Sequence, residues 1–143
     1  MNCNRIRTGC GGMSLKKVLV VDDMQTVLDQ AESLLKGKFE VRLALNTQEA
    51  LRLVEEELPD IILCDINMPD TDGFALVETL RQKESFKDIP VIFMVIETSI
   101  LTKTKAYEMG VVDILTKPFV PKELIRKLEA NCKLKEIGWK AEY

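Results

Sequence analysis

Five short apolar runs divide this chain, and between them lie stretches whose apolar residues recur every three or four positions. Val18–Val21, Ile61–Cys64, Val91–Ile96 and Val111–Leu115 read as continuous buried strands, and Phe39–Leu45 alternates well enough for another. After the first run, Met24, Val27, Leu28, Ala31, Leu34 and Leu35 fall at helical spacing, with Gly37 as a stop. Thr47 to Leu58 reads as a second helix with Thr47 as its N-cap, ended by Pro59. Further helices are expected over about Phe74–Lys83 and Ser99–Met109, and a last one begins at Pro121, a residue favoured in the first helical turn. Strands that are apolar throughout must be covered on both faces. Five β-α repeats of this kind therefore predict an α/β fold, a doubly wound five-stranded parallel sheet with helices on both faces. In such sheets ligands bind beyond the carboxyl ends of the strands.

At 143 residues the chain is long enough for one domain with a core of its own. That domain is expected over residues 15–131, after a disordered leader (1–14) and before a helix extension or tail (132–143). The net charge of −3, with basic residues spread throughout, leaves no electrostatic footprint for nucleic acid. No apolar stretch approaches the ~18 residues that a membrane span requires. Cys3, Cys10, Cys64 and Cys132 form no C-x-x-C pair, and no histidine is present to complete a zinc site. Without an apolar signal segment before them, these cysteines suggest a reducing, cytoplasmic setting. Gly9, Gly11 and Gly12 precede the first strand and lack a following Gly-Lys-Ser/Thr, so they do not make a phosphate loop. The lack of histidine has a second consequence: histidine-based phosphotransfer or general-base chemistry must come from a partner.

Two of the runs end in acids. Val18–Val21 stops at Asp22-Asp23 and Ile61–Cys64 at Asp65, while the fifth leads into Thr116-Lys117-Pro118. Taken singly, Asp22-Asp23 is a helix cap and Lys117 a solvated turn residue. Taken together, a parallel sheet delivers three carboxylates and a lysine to one edge. Crowded carboxylates repel unless a cation intervenes. Magnesium suits them, since it takes oxygen ligands and prefers a few carboxylates plus a phosphate. Asp65, at the centre, is the natural nucleophile for a phosphoryl group.

The runs Val18-Leu19-Val20-Val21-Asp22-Asp23, Cys64-Asp65-Ile66-Asn67-Met68-Pro69-Asp70-Thr71-Asp72-Gly73 and Leu115-Thr116-Lys117-Pro118-Phe119 resemble the receiver domain of two-component response regulators, over about residues 15–131. The resemblance implies a flavodoxin-like strand order, 2-1-3-4-5. It implies that Asp65 accepts a phosphoryl group from a histidine kinase or histidine phosphotransfer protein. Mg²⁺ would be held by Asp22, Asp23, Asp65 and the backbone carbonyl of Asn67. Lys117 would contact the phosphoryl oxygens, and the Lys117–Pro118 peptide would be cis. Asn67 and Glu97 fall at the positions that tune dephosphorylation, the same pair of residue types as in the chemotaxis receiver that acts on the flagellar motor. On this reading the chain is not an enzyme but a phosphoacceptor that catalyses only its own phosphotransfer and dephosphorylation.

Two positions depart from the family pattern. Val95 stands where strand four normally ends in Thr or Ser, whose hydroxyl bonds the phosphoryl group. Ile114 stands where strand five often carries Tyr or Phe. Valine keeps the shape of threonine without its donor, and a hydrogen bond to a charged group is worth roughly 1.5–3 kcal/mol. Thr98 and Ser99 are the nearby hydroxyls that would substitute. Relay of the signal is therefore expected to be altered, and a receiver-like binding module indifferent to phosphorylation is the alternative. A haloacid-dehalogenase-like phosphohydrolase needs a second aspartate two residues after the nucleophile, where Asn67 stands. The residues after about 130 are too few for a helix-turn-helix, so a stand-alone receiver is expected. Its output would be a contact surface at about residues 98–131, with neither nucleic acid nor membrane as partner.

Overall fold

The computed structural model describes residues 15–68, 73–96 and 99–136, with side chains as far as Cys132. Strands and helices alternate strictly: β1 (Lys16–Val21), α1 (Gln25–Leu35), β2 (Phe39–Ala44), α2 (Thr47–Glu56), β3 (Ile61–Asp65), α3 (Gly73–Arg81), β4 (Val91–Val95), α4 (Ile100–Glu108), β5 (Asp113–Thr116) and α5 (Pro121–Glu136). The strands form one parallel sheet in the order β2-β1-β3-β4-β5. The fold class and the 2-1-3-4-5 order are those anticipated. Residues 1–14 and 137–143 lie outside the described residues, as do Glu97 and Thr98, and α5 continues past residue 131 to Glu136.

Alternation along the strands divides the core into two layers. Val18, Val20, Ile61, Leu63, Ile92 and Met94 pack against Leu28, Ala31 and Leu35 of α1 and against Leu124, Leu128 and Cys132 of α5. Leu19, Val21, Ile62, Cys64, Phe93 and Val95 point the other way, to Ala50 and Val54 of α2, Leu76, Val77 and Leu80 of α3, and Ala106 of α4. Every residue of β3 and β4 is buried, which is why their sequences show no polar alternation. Cys64, as its apolar setting suggests, is a fully buried core residue.

Three local details differ from the sequence reading. The N-cap of α2 is Asn46, not Thr47: its side chain accepts from the Glu49 N–H at 2.8 Å, and Thr47 is the first helical residue. The fifth strand starts at Asp113 rather than Val111. Gly110, at φ +88°, reverses the chain out of α4. The N–H of Val111 then returns to Ala106 O and that of Gly110 to Tyr107 O, both at 3.1 Å, so Val111 closes the helix instead of opening the strand. Helix α3 runs from Gly73 to Arg81, ending short of Lys83. The Arg81 guanidinium donates to Lys87 O, Ile89 O and Gly110 O at 2.9, 3.0 and 3.2 Å, tying the end of α3 to the approach to β4 and to the end of α4. Burial lowers the Arg81 pKa, and Asp88 partly counters this. A half-buried cation satisfied by three carbonyls is a structural clamp, and no periodicity announces it.

Candidate functional site

The order β2-β1-β3-β4-β5 places the carboxyl ends of β1 and β3 side by side, with Val21 in register with Cys64. The acids that follow each strand therefore meet. One carboxylate oxygen from each of Asp22, Asp23 and Asp65 lies within 4.8 Å of the others. Asp22 and Asp65 are buried, whereas Asp23 is the least buried of the three. β5, at the far side of β4, returns Lys117 to the same place: its Nζ donates to Asp22 Oδ2 at 2.9 Å and lies 3.5 Å from Asp65 Oδ1. The Lys117–Pro118 peptide is cis.

The hydrogen bonds show what these carboxylates are not doing. Met24 is the N-cap of α1 and makes no side-chain cap bond, and the first turn of that helix holds no acid. Asp22 Oδ1 accepts the Met24 N–H at 2.9 Å, which braces the turn, but neither aspartate caps the helix. Asp65 Oδ1 accepts the Asn67 N–H at 3.4 Å, and Oδ2 has no hydrogen bond among the described residues. Burial first, and the charge of Asp22 second, raise the Asp65 carboxyl from 3.8 to about 6, against the opposing pull of Lys117. For Lys117, burial alone favours the neutral amine. Its hydrogen bond to Asp22 and the charges of Asp65 and Asp22 more than offset this and raise its pKa. Lys117 is thus held as a cation beside an Asp65 carboxyl that ionises less readily than a free one.

Gly73 sets how closely the following helix approaches. Its N–H donates to Ile66 O at 2.9 Å. A Cβ at this position would sit 2.8 Å from Asp65 O and 3.1 Å from both Ile66 Cα and a ring carbon of Phe93. Only glycine lets α3 begin directly against the main chain of Asp65. The sequence contains this glycine at the end of the Asp65 motif, but its steric role appears only in three dimensions.

Asp22, Asp23, Asp65 and Lys117 are brought together, and Asn67 flanks them through its backbone. Glu97 lies outside the described residues. Val95 and Ile114 are buried in the α2–α3–α4 layer of the core. The carbonyl of Val95 accepts the Lys117 N–H at 2.7 Å, so β4 ends against the lysine with a backbone bond and no side-chain donor. Of the nearby hydroxyls, Ser99 is engaged: it caps α4, accepting from the Thr102 N–H at 3.1 Å and contacting the Thr102 hydroxyl at 3.0 Å.

This set of oxygen donors, two buried and one more open, suits a hard divalent cation. Comparison with known proteins agrees with the arrangement. The sequence model of the response regulator receiver domain matches residues 18–129, and the chain belongs to that family. The transcriptional regulatory protein PrrA of Mycobacterium leprae is 41% identical over 120 residues, 83% of this chain and 51% of the relative. Its counterpart in Mycobacterium tuberculosis is 40% identical over the same length and shares. The chain thus spans about half the length of these curated relatives. Among solved structures, the chemotaxis protein CheY4 of Vibrio cholerae superposes with a TM-score of 0.78 at 31% identity, covering 82% of this chain and 98% of that one. A CheY-like receiver domain protein from Methanospirillum hungatei gives 0.80 at 27% identity, covering 87% and 99%. Receiver domains serve two-component signalling as phosphoacceptors for histidine kinases, and generally bind Mg²⁺ at an acidic cluster. Among the described residues, no helix is long and apolar enough to cross a membrane.

Proposed function

We propose that Asp65 is the phosphoacceptor of this chain and that residues 15–131 work as a Mg²⁺-dependent receiver. The observation that carries this reading is a buried carboxylate with one oxygen engaged and the other without a hydrogen bond among the described residues, beside Asp22, Asp23 and Lys117. Receiver domains take their phosphoryl group from histidine kinases, and with no histidine in this sequence the phosphohistidine belongs to a partner kinase or phosphotransfer protein. Asp65 Oδ2 attacks phosphorus, a P–O bond forms, and the P–N bond breaks with its electron pair going to the imidazole nitrogen. Lys117 supplies positive charge to the transferring oxygens, and the site orients the carboxylate. Such transfers depend on alignment and charge neutralisation more than on proton transfer. Asp22, Asp23, Asp65 and the carbonyl of Asn67 are the groups that hold Mg²⁺, whose two charges offset those of the carboxylates and of the incoming phosphoryl group. The domain is not an enzyme acting on other substrates: it turns over only its own acyl phosphate, with Asn67 and Glu97 tuning the lifetime. Output passes through a contact surface at about residues 98–131.

The test is incubation with Mg²⁺ and a small phosphodonor. The expected result is a base-labile adduct that disappears in Asp65→Asn. No adduct, or one that survives this substitution, overturns the reading. One observation favours a second reading, a scaffold that docks partners regardless of phosphorylation: Val95 and Ile114 are buried, and neither offers a hydrogen-bonding side chain. A tenfold change in partner affinity on phosphorylation, about 1.4 kcal/mol, rules the scaffold out.

A further inference from the structure

Among the described residues, the end of β4 offers the site no free side-chain hydroxyl. Val95 carries no hydroxyl, the Ser99 hydroxyl is committed to capping α4, and Ile114 is a buried aliphatic residue. A different route is packed without slack. Gly73, the first residue of α3, is hydrogen-bonded to Ile66 and lies so close to Asp65 O and the Phe93 ring that no Cβ fits between them. The next residue, Phe74, meets Phe93 edge to face, with centroids 5.1 Å apart and planes at 81°. The Lys105 ammonium of α4 lies over the outer ring, 4.3 Å from the Phe74 centroid. Among the described residues, the Lys105 ammonium has no carboxylate partner and rests on the Phe74 ring. Phe74 and Lys105 also line an open groove of ≈ 630 Å³ between α3 and α4, together with Arg81 and Met109.

Helix α4 is the element best placed to respond. Its single buried side chain is Ala106, whereas Ile100 and Leu101 are 80% and 82% exposed. Beyond its two caps, little apolar packing holds it in place, so a modest change in one contact shifts its position or its opening equilibrium. A packed aromatic pair transmits displacement well, because close-packed groups rearrange rather than compress.

We propose that the phosphorylation state of Asp65 is read out through the first turn of α3, by way of Gly73, Phe93 and Phe74 to Lys105, and that it alters α4 and the α3–α4 groove. This rests on Asp65 being the phosphoacceptor. It replaces the missing hydroxyl of β4 with an aromatic contact as the link between the site and its surface.

The experiment measures amide hydrogen exchange in residues 73–81 and 100–108 with and without Mg²⁺ and beryllofluoride, a stable mimic of the aspartyl phosphate. In parallel, intact mass reports how much of each protein is phosphorylated by a small acyl phosphate. In the native chain, filling the site is expected to change exchange in both helices by threefold or more. Phe74→Leu is expected to be phosphorylated within twofold of the native rate while its α4 response disappears. Lys105→Met, a surface change that leaves the core intact, is expected to keep the α3 response and lose most of that of α4. A filled site with unchanged exchange in the native chain overturns the inference alone. So does a native-sized α4 response in Lys105→Met or in a folded Phe74→Leu. Absence of any phosphoryl adduct in the native chain overturns it together with the assignment of Asp65.

Discussion

The carboxyl ends of β1 and β3 and that of β4 are neighbours on one sheet, yet they are built from opposite materials. The first pair ends in Asp22, Asp23 and Asp65, with Lys117 drawn in from beyond β5. The end of β4 is Val95, which contributes a backbone carbonyl to Lys117 and an apolar side chain to the core. Buried charges are costly unless paired or neutralised, and burial first, with the charge of Asp22 second, raises the Asp65 carboxyl in spite of Lys117. The β4 end carries no such cost. One part of the edge therefore carries buried charge, and the adjacent part carries none. The proposed cation and phosphoryl chemistry rests on the charged part, and mutation can test it apart from the relay of the signal.

The largest expected effect lies on the charged side. Asp65→Asn removes the nucleophile and should abolish the base-labile adduct, checked by intact mass after exposure to a small phosphodonor. A surviving adduct would place the acceptor elsewhere. Lys117→Met should slow phosphorylation by about 10²–10³-fold, as expected when one preorganised cation is withdrawn from a developing charge. Single-turnover kinetics measure this, and a loss of less than tenfold would mean that the lysine is mainly an ion-pair partner of Asp22.

Effects on stability come next. A methyl group at Gly73 cannot fit without moving Asp65 or Phe93. Gly73→Ala should thus lower stability by about 1–3 kcal/mol in denaturant unfolding, and should slow phosphorylation by shifting the acceptor. For Asp65 the sign follows from its raised pKa. Protonated in both folded and unfolded chains below pH 3.8, it imposes no penalty there; as pH rises to about 6 the unfolded chain ionises first, and the penalty is complete above that value. Without metal, Asp65→Asn should therefore stabilise the fold at neutral pH by roughly 1–3 kcal/mol. The gain should vanish as pH falls towards 3.8, and equal stability at neutral pH would show that the buried charge is already compensated.

The smallest effect tests the apolar side. Val95→Thr buries a hydroxyl and should cost about 1 kcal/mol without phosphoryl analogue. That loss should shrink when beryllofluoride fills the site, if the hydroxyl then finds an oxygen to bond. A loss that is the same in both states would mean that the end of β4 takes no part in the response.

Much of this molecule was legible in the chain itself. The β-α alternation follows from hydrophobic periodicity, and acids directly after two apolar runs, with Lys117 after a third, identify the candidate site, because a parallel sheet presents all its strand ends on one side. Local details were harder to read. Asn46 displaced Thr47 as a cap because both residues suit the position and only backbone geometry decides between them. Val111 looked like strand because apolar character does not distinguish a buried strand residue from one that closes a helix.

What the sequence determined by itself is the set of groups and their placement at strand ends, since local periodicity depends on neighbouring residues only; the order of the strands came from the family resemblance. Distances and competition belong to the tertiary structure. Asp22 and Lys117 are 95 positions apart in the chain yet lie 2.9 Å apart, and the raised pKa of Asp65 arises from burial by elements scattered through the whole sequence. The contact of Gly73 with Asp65 and Phe93, and the stack of Lys105 on Phe74, join residues of β3, α3, β4 and α4. No pattern along the chain encodes such contacts, because close packing is a property of surfaces that meet only after the sheet has formed.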